Sequence, residues 1–260
     1  MKKVIACLLG IVVLAACATG RAQADQDKDG RMLADALRAV DMDGSGFDLD
    51  HQLLITGGDI PSGQAVQLHA TASGGVLRNG AAKFAYRIDE GQGQHVSDYD
   101  MLVSDGRLYV KPRGSSGWKA TPVGAATQLI AGLRLDVVRQ AVLLASSVST
   151  GSLTHVSAGF ARRYAVMPAP AQLEQLLAVS VQGPTEQQFL KSAMAEVGVY
   201  LLVPGNKLAR VEVHVAGTDP ATGEKQEMLS VLDLRSAKVS AIPAPPDAML
   251  VAPSEVLTPS

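Results

Sequence analysis

The chain has 260 residues, of which 47% are apolar but only 4% aromatic, and its formal charge is −2. A balance so close to neutral argues against nucleic acid as a partner. The two cysteines, Cys7 and Cys17, both lie at the extreme N-terminus, so stability has to come from an aliphatic core rather than from disulfides.

The N-terminus reads as a targeting segment. Lys2 and Lys3 precede an apolar and small run, Val4 to Ala15. At about 12 residues it is too short to span a bilayer, which takes roughly 20, and it suits the h-region of a secretory signal. The run ends in Leu14-Ala15-Ala16-Cys17. That box resembles the bacterial lipobox, which implies cleavage after Ala16 and a diacylglycerol on Cys17. Two acyl chains make a stable anchor where one is marginal. Residues 1–16 are thus expected as a lipoprotein signal peptide, and 17–30 as a lipidated flexible tether with a reach of about 40 Å.

The tether contains Asp25-Gln-Asp-Lys-Asp-Gly30, which opens like a calcium loop. Such a loop needs a bidentate Glu at its twelfth position. Counting from Asp25 that position is Ala36, and counting from a second acidic turn at Asp41 it is Gln52. Asp29 instead reads as the N-cap of a helix over Arg31–Val40, whose stripe is Met32, Leu33, Ala36, Leu37 and Val40.

Period-two alternation follows. Phe47, Leu49, His51, Leu53 and Ile55 share one face of a strand, with Asp48, Asp50 and Gln52 on the other. Further strands are predicted over Gln64–Ser73 and Ala82–Ile88, then a loop over Asp89–Ser97. Tyr99–Val103 and Leu108–Lys111 form a hairpin, whose Asp105-Gly106 turn matches strand twist. The pattern turns helical from Ala125 to Val148. Leu153–Val166 reads as one strand, and Ala171–Val181 and Thr185–Ala195 read as helices. A second hairpin turns at Pro204-Gly205-Asn206 between Val197–Val203 and Ala209–Ala216, and Glu227–Leu234 is a strand. Ser240–Pro246 is a Pro-rich exit, and 247–260 is expected to be disordered.

Strands first, helices in the middle and strands last give an α+β chain with one large antiparallel sheet. The lipobox, tether, first helix, strand meander, Val103–Pro122 hairpin segment ending in Trp118, helical middle and terminal hairpin together resemble the LppX/LprG-type envelope lipoproteins. The resemblance covers Arg31 to Pro246. It implies the half-barrel fold of the LolA/LolB lipoprotein carriers: a large curved antiparallel sheet, open as a half-barrel, with helices covering its concave face. Residues 31–246 are then a lipid-binding domain. With the aliphatic excess, it implies a cavity wall of Leu53, Ile55, Leu68, Phe84, Tyr86, Leu129, Leu133 and Val137.

Motifs for chemistry are sparse. Ser116-Gly-Trp-Lys119 spells S-x-x-K, but it falls in a Gly/Ser turn without the partner motifs of penicillin-recognising enzymes. The five histidines, His51, His69, His95, His155 and His214, have no close metal-ligand spacing. Neither a metal nor a cofactor is expected, and no enzyme activity. Lys111, Arg113 and Lys119 surround one hairpin, as a solvated tip or as contacts to lipid head groups. Two functions follow. One is a lipid-anchored envelope protein, at the outer face of the cytoplasmic membrane or at the outer membrane, that holds an acyl lipid or lipidated molecule for transport or presentation. The alternative is a regulatory lipoprotein that uses the same fold to bind an envelope protein partner.

Overall fold

Twelve strands join edge to edge in a single sheet of the computed structural model. It describes residues 20–39, 45–77, 81–91, 93, 95–123, 135–169, 172–173, 192–236 and 241–257. In chain order the strands are β1 Ser45–Thr56, β2 Val66–Val76, β3 Ala82–Glu90, β4 His95–Ser104, β5 Arg107–Pro112, β6 Lys119–Pro122, β7 Ser147–Val156, β8 Gly159–Met167, β9 Met194–Leu202, β10 Leu208–Thr218, β11 Lys225–Ser236 and β12 Met249–Leu250. The order across the sheet is β12-β6-β5-β4-β3-β2-β1-β11-β10-β9-β8-β7, open at both edges. Every pair is antiparallel except β12 with β6.

Alternation decides which face each residue takes. Phe47 lies between Gly74 and Leu234, Leu49 between Ala72 and Leu232, and Leu53 between Leu68 and Met228. These apolar residues make the inner face, while Asp48, Asp50 and Gln52 point to the outer one. The Asp105-Gly106 turn is as expected, with φ of 50° and 72°.

Two helices stand beside the sheet among the described residues: α1, Gly20–Arg38, and α2, Leu135–Leu143. Leu33 and Leu37 of α1 and Val138, Ala141 and Val142 of α2 belong to the main core cluster, together with Phe47, Phe84, Met101 and Val197 from the inner face. Gly30 is not required for this packing, since a Cβ there would meet the Val142 carbonyl and Val148 only at an ordinary 4.0 Å.

Several boundaries differ from expectation. The first helix starts at Gly20, not Arg31, so residues 20–30 of the expected tether are helical. Ala22, Ala24 and the glutamines carry it through the acidic stretch, because they favour helix over coil. Asp29 is inside that helix, not at its cap, and its carboxylate accepts a hydrogen bond from Thr150 Oγ1 at 2.9 Å. The middle helix ends at Leu143, and Ser147 already begins β7. The single strand expected over Leu153–Val166 is a hairpin, with Gly159 at φ 130° allowing the return. The loop expected over Asp89–Ser97 is shorter, because Glu90 and His95 still pair. The helices expected over 171–195 fall largely outside the described residues, but Met194 and Ala195 are strand.

The C-terminal segment departs most. Ile242 packs on the outer face against Leu102, Tyr109 and Ala120. Met249 and Leu250 then pair in parallel with Lys119 and Ala120. Beyond the sheet edge Val256 is fully buried in the main inner cluster. The expected disordered tail is therefore ordered at least to Leu257, held by edge pairing, by Val251, Val256 and Leu257 against the core, and by hydrogen bonds from Lys119 to the Glu255 carbonyl and from Tyr99 to the Leu257 carbonyl.

Candidate functional site

The inner face divides into two apolar clusters. Between them runs a row of residues in register across β2, β1, β11 and β10: Ala70, His51, Ser230 and Val213. His51 Nδ1 and Ser230 Oγ lie 3.2 Å apart. Burial pushes the His51 pKa below the usual imidazole value, Asp50 opposes this and His69 adds to it. The imidazole is thus held neutral inside the wall.

On one side of this row is the main cluster. On the other, Leu53 and Ile55 of β1, Met228 of β11, Val215 of β10 and Ala195 of β9 form a second cluster, with Leu68 of β2 packed against it. Among the described residues its members come almost entirely from the sheet, joined by Leu173, Ile60 and Ala193, and none comes from α1 or α2. At its rim, buried Gln226 donates its amide to the Glu224 carboxylate, while its Oε1 has no partner.

The wall expected from the sequence is thus split. Leu53, Ile55 and Leu68 come together in the second cluster. Phe84 and Val137 are buried in the main cluster, with Tyr86 against it. The Tyr86 phenol is pushed up to about 12 by burial first and by Tyr99 second. Phe84 meets Phe47 edge-on at 5.7 Å across Gly74. Leu129, Leu133 and Cys17 lie outside the described residues.

The hairpin cations separate as well. Lys111 is on the outer face, 3.7 Å from Asp100 and over the Trp118 ring at 5.3 Å. Arg113, also outer, pairs with Asp98 at 3.4 Å. Lys119 is on the inner face opposite Val110 and is buried. Sequence order alone placed all three at one tip, whereas strand parity separates Lys119 from the others.

The outer face is covered by paired charges. Asp48 accepts from Ser73 at 2.5 Å and from Arg235 at 2.8 Å. Burial alone would raise its pKa, but these two partners together hold it low. Tyr200 donates to Glu212 at 2.6 Å and accepts from Arg163 Nε at 3.1 Å. Arg210 grips Asp233 at 2.7 and 2.9 Å. A cleft of about 400 Å³ runs over Thr71, Ser73 and Ala85 between Asp48 and Asp98. Another, of about 850 Å³, lies between Trp118 and the strap of Ile242 to Pro246. The Ser116–Lys119 motif has no nucleophile geometry: Ser116 is exposed in a turn, and Lys119 points to the other side of the sheet. The described residues contain no group of three His, Asp, Glu or Cys able to hold a metal ion.

No family model matches the sequence, and no curated protein does. Among solved structures the fold is similar to the lipoprotein LppX of Mycobacterium tuberculosis, at 10% identity over 83% of this chain and 96% of that one, with a TM-score of 0.44. It is also similar to LprF of Mycobacterium bovis, at 12% identity over 85% and 98%, TM-score 0.47. A third likeness is to an outer membrane lipoprotein-sorting protein domain of Vibrio parahaemolyticus, at 7% identity over 80% and 92%, TM-score 0.30. The resemblance to LppX-type lipoproteins read from the sequence thus recurs in the structural comparison.

Proposed function

We propose that this chain is a lipid-anchored protein of the bacterial cell envelope that holds an acyl lipid or lipidated molecule against the inner face of its sheet. The observation that carries this reading is the second apolar cluster, whose described wall is almost wholly sheet and to which α1 and α2 contribute nothing. In this reading α1 and α2 close one half of the inner face, and the acyl chain lies over Leu53, Ile55 and Leu68 in the other. The sequence resemblance adds Leu129 and Leu133, which lie outside the described residues, to the wall and makes Cys17 the anchor.

The energetics suit exchange. Moving one methylene out of water is worth about 0.8 kcal/mol. A chain drawn from a bilayer is already out of water, so its transfer into an apolar site is close to neutral and reversible. Such a carrier needs neither a catalytic group nor a cofactor.

The test is Leu53→Trp. If a ligand chain lies over Leu53, the indole takes its space, so lipid uptake falls severalfold while stability stays near that of the wild type. If Leu53 merely fills a packed core, overpacking costs about 1–3 kcal/mol and the wild type takes up no lipid. A second reading, a lipoprotein that binds a protein partner, draws on the exposed apolar group Leu153, Phe160 and Val203 at the β7–β8 end.

A further inference from the structure

Three exposed apolar side chains stand at one corner of the sheet. Phe160 of β8 is 64% exposed, Leu153 of β7 54%, and Val203, just past β9, 44%. The Val203 amide donates to the Phe160 carbonyl at 2.9 Å, and His155 packs edge-on against the Phe160 ring at 5.3 Å. Leu153 faces Arg162 across the ladder. Alternation puts Phe160 and Arg162 on the face of Tyr164 and Val166, which belong to the main cluster. The group therefore extends the inner face beyond that cluster. Two exposed cations border it: Arg162, and Lys207, whose carbonyl accepts from the Leu202 amide at 2.8 Å in the turn that carries Val203. Among the described residues neither has an acidic partner, whereas Arg163 and Arg210 on the outer face are both paired.

The first helix starts from the same edge. Asp29 of α1 is bonded to Thr150 of β7, the last strand of the sheet. From Asp29 the helix runs back to Gly20, about 14 Å away. Cys17 precedes Gly20 by three residues, which reach at most about 10 Å. An acyl anchor on Cys17 is thus tied within about 25 Å of Asp29, and Leu153 lies roughly 10 Å along β7 from Thr150. A bilayer held that close is within reach of this corner. The ladder slips between Thr150 and Leu153. Such a bulge spoils a free edge as a template for a partner strand, which favours lipid over a second chain. We propose that this corner docks on the bilayer: Leu153, Phe160 and Val203 enter the interface, while Arg162 and Lys207 meet the phosphates of anionic lipids. This rests on the lipid-anchor reading and adds to it the surface turned to the membrane. Ala195 of the second cluster and Val203 stand at opposite ends of β9, about 26 Å apart along the strand. Docking therefore turns the acyl-chain site away from the bilayer that holds the anchor.

The experiment labels single cysteines with a polarity-sensitive nitrobenzoxadiazole maleimide. Ala158→Cys sits in the β7–β8 turn beside Phe160, and Gln64→Cys sits at the other end of the strands, next to the Val66–Ile55 pair. Cys17 is the sole cysteine after position 7, so acylation there leaves only the introduced thiol to react. Each acylated protein is reconstituted on vesicles of phosphatidylcholine, with and without phosphatidylglycerol. The dye at 158 should shift to the blue and brighten severalfold on the anionic vesicles, while the dye at 64 stays as in water. Phe160→Ser should abolish the change at 158, and Arg162→Gln and Lys207→Gln should each cut the docked fraction about fivefold on anionic vesicles alone. A dye at 158 that stays in water while the protein floats with the vesicles would overturn the docking, leave the anchor standing and give the corner to a protein partner. A change at 64 as large as that at 158, or docking indifferent to both cations, would also overturn it. Protein that neither floats nor protects Cys17 from the dye would overturn the docking and the lipid-anchor reading together.

Discussion

Gly74→Ala places a methyl group where the structure has no room. Gly74 sits in β2 between Phe47 and Phe84, and its missing side chain lets the two rings meet. A Cβ would lie 2.2 Å from the Lys83 carbonyl oxygen, 2.5 Å from Phe84 Cβ and 2.6 Å from Phe84 Cα. Two of these three atoms are backbone and cannot rotate aside. To restore contacts near 3.5 Å, β2 and β3 must part by about 1 Å, at the expense of the ladder beside Phe84. Overpacking of this severity costs about 3 kcal/mol. Replacing a strand glycine returns about 0.5–1 kcal/mol through the unfolded chain. The net loss is about 2 kcal/mol, which for a chain of this size lowers the melting temperature by about 4–8 °C. Gly117→Ala serves as control, since a Cβ there meets nothing within 4 Å. Circular dichroism melts of the three proteins suffice. A Gly74→Ala melt within 2 °C of wild type would refute the close β2–β3 approach and, with it, the Phe47–Phe84 contact of the inner wall.

Other expectations concern single groups. Because the folded pKa of His51 is depressed, chiefly by burial, the unfolded chain binds the extra proton first. Stability is therefore full above about pH 6.5 and declines as pH falls below it. His51→Phe should lessen that decline, and equal drops in urea midpoint between pH 7.5 and 5.5 for both proteins would contradict this. Tyr200→Phe removes the hydroxyl that links Glu212 to Arg163 and should cost about 1–2 kcal/mol in urea unfolding; no measurable loss would mean that water replaces it. Cys17→Ser should move the protein from the detergent phase to the aqueous phase in phase separation, and retention in detergent would rule out the anchor.

Much of this architecture was legible because it is local. Alternation from Phe47 to Ile55 assigned the face of β1, and Asp105-Gly106 fixed a hairpin. What alternation could not give was position along the sheet relative to neighbouring strands. Leu53 and Phe84 share a face, yet His51 and Ser230 stand between their clusters. The tail was missed because its order is non-local: small and Pro-rich by composition, it is held by pairing with β6, by Val251, Val256 and Leu257 against the core, and by hydrogen bonds from Lys119 and Tyr99 to its carbonyls. The same cause hid the burial of Lys119. It reads as part of one hairpin tip until the tail is seen to cover its side of β6. The acidic residues before Gly30 suggested a tether, whereas the hydrogen bond of Asp29 with Thr150 and the packing of Leu33 and Leu37 with α2 support a helix.

The most direct test of the carrier reading is to purify the protein from bacterial envelopes, extract it with organic solvent, and quantify acyl lipid by mass spectrometry beyond the chains attached at Cys17. The account predicts close to one acyl lipid or lipidated molecule per protein, and less of it in Leu53→Trp. Extracts holding no acyl lipid beyond the anchor, from a protein that is folded and full length, would contradict it.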